Sequence, residues 1–97
     1  MHARATTIRV GQNVGDAAIE QYREALATFR GMDGNRGAFL LVNPGAGRGL
    51  GVTLWESEEA MAVSREQAEQ LRQHAAEQAQ GEIESVVEYK VAVWDVS

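Results

Sequence analysis

The chain has 97 residues, 44% hydrophobic and 24% charged, with a formal net charge of -5 and no cysteine. That length makes one small domain, residues 1–97, whose modest core would gain from a partner subunit. The acidity disfavours nucleic acid, the missing thiols exclude disulfides, iron–sulfur clusters and cysteine nucleophiles, and two histidines are too few for a multi-histidine metal centre.

The start, Met1 to Thr7, has no apolar core of the kind a signal peptide needs, and the longest apolar run, Ala38 to Val42, is far too short to span a bilayer. The expectation is a cytoplasmic protein without a membrane partner.

Residues 3–10 alternate as a strand, with Arg4, Thr6, Ile8 and Val10 on one face and Ala3, Ala5, Thr7 and Arg9 on the other. Residues 11–15 form a turn and Asp16 is a fair helix cap. Ile19, Tyr22, Leu26 and Phe29, with Ala18 and Ala25 beside them, then define an amphipathic helix of about four turns. Gly31, Gly34 and Gly37 punctuate the loop after it. Ala38 to Val42 is apolar at successive positions, which predicts a strand covered on both faces. Asn43-Pro44-Gly45 starts a glycine-rich hairpin connection. It lacks the lysine and hydroxyl of a phosphate loop and leads into a strand rather than a helix.

The third strand ends at Trp55. Ser57 caps the helix that follows, with Glu58 and Glu59 in its first turn, where the helix dipole favours negative charge. The helical region extends to Gln80, but Ser64-Arg65-Glu66-Gln67 has the form of a capping box and predicts a break there. Ala68, Leu71, Ala75 and Gln78 or Ala79 make the buried stripe of the second piece, and Glu66, Glu69 and Glu77 belong to a solvated face. Gly81 ends it. Residues 83–96 read as one long strand, with Val87, Tyr89, Val91 and Val93 on one face.

The order β-α-β-β-α-β is the ferredoxin-like α+β plan: a four-stranded antiparallel sheet with helices on one face. The other face is bare and carries Phe39, Leu41 and Trp94 or their alternates. Without an internal repeat, the expected cover is a second copy of the chain, a homodimer.

Trp55, Trp94 and Phe39 are candidate walls of a cavity for a small aromatic ligand, or plain core and interface packing. Tyr22 either hydrogen-bonds that ligand or buries its ring. Arg9, Thr7, Glu88 and Lys90 form a polar set in which Arg9 meets Glu88 or Lys90 across strands. Within a closed cavity the set binds a phenolic substrate; outside it, the set is a cross-strand ion pair.

The run TLWESEEAM around Trp55, the broken second helix and the closing VVEYKVAVWDV pattern resemble the antibiotic biosynthesis monooxygenases of the dimeric α/β-barrel superfamily. The resemblance implies a ferredoxin-like fold that dimerises into a dimeric α/β barrel. It also implies a small monooxygenase that needs no cofactor and acts on a quinol or polyketide-like aromatic, with His74, Tyr22 and Arg9 as catalytic candidates. Trp55, Thr7, Phe39, Lys90 and Trp94 are the corresponding substrate-binding candidates.

A haem-degrading branch implies an alternative, haem held by His74, nineteen residues past Trp55. That branch carries a second tryptophan where this chain has Ser64, and a first-strand asparagine where it has Thr6 and Thr7; Asn13 comes too late to substitute. Beside the stripe of Leu71 and Ala75, His74 either points toward a cavity or sits half exposed among Gln70, Arg72, Gln73 and Glu77. The third reading is a non-catalytic dimeric accessory module.

Overall fold

The structure, a computed structural model, describes residues 1–9, 16–78 and 81–96. Its elements are β1 (His2–Arg9), α1 (Asp16–Arg30), β2 (Asn35–Asn43), β3 (Arg48–Trp55), α2 (Glu58–Val63), α3 (Arg65–Gln78) and β4 (Glu82–Lys90). The predicted turn at 11–15, with Asn13, and Val10 of the first strand lie outside the described residues. So do Ala79 and the side chains of Asp16, Ala18, Ala75 and Gln78.

The strands form one antiparallel sheet in the order β2-β3-β1-β4. Arg4, Thr6 and Ile8 of β1 are buried under the helices, opposite Thr53, Gly51 and Gly49 of β3. The core has two centres. Phe29, Trp55, Met61 and Ala68 pack together with Leu26, Met32, Ala60 and Leu71; Ile8 and Tyr22 pack with Ala25, Leu40 and Ile83. The α1 stripe is therefore as its spacing dictates.

Within one chain β2 is covered on the helix side: Ala38, Leu40 and Val42 are half-buried, while Phe39 and Leu41 are exposed on the face where the sequence predicts a second copy. Two expectations are corrected. First, β4 stops at Lys90. Among the described residues it pairs with β1, and β1 begins opposite Lys90 at His2, so the pairing ends with one further bond, from Val91 N to Met1 O at 2.9 Å. Trp94 therefore lies beyond the sheet, exposed in residues 91–96.

On α3 the predicted Ala68 and Leu71 face the core, and Arg72 and Ala76 follow Ala68 at steps of four. Second, Ser64 marks the helix break but does not use its hydroxyl as a capping box. Its Oγ donates back to Met61 O at 2.8 Å, while its carbonyl accepts from Ala68 N, also at 2.8 Å.

Ser57 caps α2 as expected, its Oγ accepting from Ala60 N at 3.1 Å. The loop before β2 is fastened to this corner by Glu56 N donating to Gly34 O at 2.8 Å. Gly34 has φ of +80°, and a Cβ there would stand 2.5 Å from Ala60 Cβ. Both the backbone conformation and the close approach of α2 require glycine. Among the described residues no helix is long and apolar enough to cross a membrane.

Candidate functional site

A cavity of about 30 Å³ lies between the helices and the sheet. Tyr22, Ala25, Leu26 and Phe29 of α1, Arg72 of α3, and Thr6, Ile8, Gly51 and Thr53 of the sheet line it. Alternation along β1 turns Thr6 and Ile8 inward, and the four-residue repeat of α3 does the same for Arg72. The walls are mainly apolar, with a few polar groups converging on them, as in small-molecule sites.

The polar groups fall into two classes. Some are already engaged. Arg4, almost fully buried, stacks over Trp55 with its Cζ 5.8 Å from the ring centroid. It donates through Nη2 to Met61 O at 2.8 Å and through Nη2 and Nε to Glu88 Oε2 at 3.0 and 3.2 Å. The helix break makes the first of these bonds possible, because a last-turn carbonyl of α2 faces the sheet. Glu88 is shared with Arg65, whose Nη2 and Nε donate to Oε1 at 2.6 Å and Oε2 at 3.2 Å. The hydrogen bond from Arg65, then that from Arg4, hold the Glu88 carboxyl below its ordinary value against an opposing effect of partial burial. Trp55 Nε1 donates to Thr53 Oγ1 at 2.9 Å, so the indole is core, and it helps to orient a cavity-lining hydroxyl.

Others are buried without a hydrogen-bond partner among the described residues: Tyr22 Oη, Arg72 Nε and Nη1, and Arg4 Nη1. Burial pushes the Tyr22 phenol up to about 12, so it is a neutral donor at physiological pH. Arg72 is pushed down, first by burial and then by the nearby positive charge of Arg4. Left unmade, such bonds cost about 1–3 kcal/mol each.

Of the residues singled out in the sequence, Tyr22 lines this cavity and Trp55 backs it. Arg9 is exposed and pairs with Glu82, because the β1/β4 register sets Arg9 opposite Glu82 and Arg4 opposite Glu88; the expected pairing of Arg9 with Glu88 or Lys90 is thereby corrected. Lys90 is exposed opposite His2. Thr7 and Phe39 stand on the sheet face away from the helices, as the inward alternation of their neighbours requires.

His74 is exposed. It lines one groove with Glu66, Glu69, Gln70, Gln73 and Glu77, and another between α1 and α3 with Gln21, Glu24, Ala25, Thr28 and Leu71. The carboxylates and amides of the first do not fit a haem, whose porphyrin needs apolar walls and whose propionates those carboxylates would repel. Arg4, Arg72, Thr6 and Thr53 escaped the sequence reading. The Ala68-Arg72-Ala76 row, small residues flanking a cation at helical spacing, was the available signal for Arg72.

Comparisons with known proteins agree with this fold. Residues 1–76 match the family model described as antibiotic biosynthesis monooxygenase. Two uncharacterized proteins of Mycobacterium tuberculosis, from strains CDC 1551 / Oshkosh and ATCC 25618 / H37Rv, are each 37% identical over 93 residues. The match covers 95% of this chain and 41% of theirs, so the chain spans less than half the length of these relatives. The crystal structure of a Deinococcus radiodurans protein assigned to the antibiotic biosynthesis monooxygenases aligns with TM-score 0.65 at 14% identity, over 100% of this chain and 98% of that one. Protein YJCS, a structural-genomics target, aligns with TM-score 0.63 at 12% identity, over 93% and 97%. At those identities the two structures speak to the fold, while the family match and the mycobacterial relatives speak to descent. With its ferredoxin-like sheet, its broken second helix and a family match over most of its length, this chain belongs to the antibiotic biosynthesis monooxygenase family.

Proposed function

We propose that the protein is a cofactor-independent monooxygenase that oxidises a phenolic or quinol-like aromatic held between the helices and the sheet. The observation that carries this reading is the helix–sheet cavity, whose Ile8, Leu26 and Phe29 walls surround the unpartnered donors of Tyr22 and Arg72. Oxygenation of an electron-rich ring carbon by O2 inserts one oxygen atom and releases the other as water; the substrate supplies the two electrons and two protons for that water and leaves as the quinone. The protein need only exclude solvent, favour the substrate anion and stabilise the oxygenated intermediate. Tyr22, neutral and desolvated, donates to the developing oxyanion, and the guanidinium of Arg72 favours negative charge in the cavity.

A cavity of about 30 Å³ holds water-sized molecules, whereas pockets for drug-sized ligands are on the order of 300–1,000 Å³. Substrate therefore enters by separation of α1 from α3. Ala25 lines both the cavity and the groove between these helices, which marks the route. A second copy of the chain covers the bare face of the sheet and completes a dimeric α/β barrel.

The test is oxygen uptake with a panel of anthrones and naphthoquinols. Enzyme-dependent uptake, reduced about 10²-fold or more in Tyr22→Phe, is expected of a donor acting on transition-state charge. No uptake with any member of the panel would leave the non-catalytic dimeric module as the better account.

A further inference from the structure

We infer that the ligand of the helix–sheet cavity carries a carboxylate, and that Arg72 is the residue that selects it. The inference rests on the reading of that cavity as a ligand site, and it names the charge of what enters. Three cations gather at this corner, Arg4, Arg65 and Arg72, around a single engaged carboxylate, Glu88. Both oxygens of Glu88 are taken by Arg4 and Arg65, and Arg72 forms no ion pair within 4.0 Å among the described residues. Glu69 and Glu88 act on Arg72 only at longer range. In a chain of net charge -5, a partly desolvated guanidinium with no carboxylate in contact, beside an apolar cavity, runs against the overall balance.

The donors suit a carboxylate, whose two oxygens accept charge-assisted hydrogen bonds. Arg72 holds Nε and Nη1, on different edges of its planar guanidinium, as buried donors. Neither has a partner, and Tyr22 Oη, on the same cavity, offers a third unused donor. The remaining lining, from Ile8, Ala25, Leu26 and Phe29, suits the hydrocarbon or ring attached to that carboxylate. A neutral ligand of the same shape would leave the half-buried guanidinium without an anion in contact.

Benzoate and benzamide, equal in size and planarity but differing in charge, test this by NMR titration of the full chain. Wild type is expected to bind benzoate at least about tenfold more tightly, the consequence of one charge-assisted pair. Arg72→Met should abolish the preference, and Arg72→Lys should restore part of it. Arg72→Met is also expected to melt at a higher temperature than wild type, since it removes a desolvated cation without a partner, so loss of preference cannot be ascribed to unfolding. Equal binding of the two probes, binding of neither, or a preference that survives Arg72→Met would overturn the inference. Oxygen uptake is measured separately. Carboxylate selection without turnover removes the oxygenase reading alone, and turnover of neutral quinols without carboxylate selection removes this inference alone.

Discussion

Glu88 ties together three elements, accepting from Arg4 of β1 and Arg65 of α3 while standing on β4. Its partner Arg4 is almost wholly buried, so removing the carboxylate leaves a charge in the core with only the Met61 carbonyl to accept from it. Glu88→Gln should therefore lower stability at pH 7 by about 2 kcal/mol. The folded-state pKa of Glu88 lies below its unfolded value, so the contribution is complete above the ordinary carboxylate range and is lost as pH falls through the lowered folded value. Urea unfolding at several pH values should show the gap between wild type and Glu88→Gln closing below about pH 4. A gap unchanged down to pH 2 would mean that the ion pairs contribute nothing. The exposed pairs Arg36–Glu56 and Arg23–Glu20 belong to a class worth about 0–1 kcal/mol and should tolerate substitution.

Among the elements, the junction of β3 with α2 is the most constrained. Ser57 caps the helix, Gly34 accepts from Glu56, and the Ala60 methyl leaves no room for a Cβ at Gly34. Gly34→Ala combines an unfavourable φ with overpacking against Ala60 and should cost about 2–4 kcal/mol. Thermal unfolding measures it, and a variant within 0.5 °C of wild type would show that the loop simply moves away. The break at Ser64 serves the site as well as the helix, because it exposes Met61 O to Arg4. Element types and the break were legible from periodicity and capping residues. The end of β4 was not, since a strand lasts only as long as its partner, and that partner is distant in sequence.

For the whole molecule, the sheet face away from the helices is where the proposed homodimer would form. Phe39 and Leu41 of β2 and Val87 and Tyr89 of β4 are 39 to 55% exposed there. A homodimer through this face predicts twice the chain mass by light scattering at micromolar concentration. Leu41→Lys, which alters an exposed side chain and leaves the helix–sheet core intact, should shift the particle to monomer. A monomeric wild type would contradict the face-to-face assembly.

Hydrophobic periodicity, capping residues and turn chemistry were enough to establish the ferredoxin-like order, the break in the second helix and the bare sheet face. These are local properties, written at intervals of two and of three to four residues. The cavity was decided only by tertiary structure. Tyr22 was visible as an aromatic on a buried stripe, but neither Arg4, on the Ile8 face of its strand, nor Arg72, beside His74, showed its partners in the sequence. They matter because strand register sets Arg4 against Glu88, and helix rotation carries Arg72 inward between Ala68 and Ala76. Register and rotation arise from packing between elements far apart in the chain, which no local pattern records.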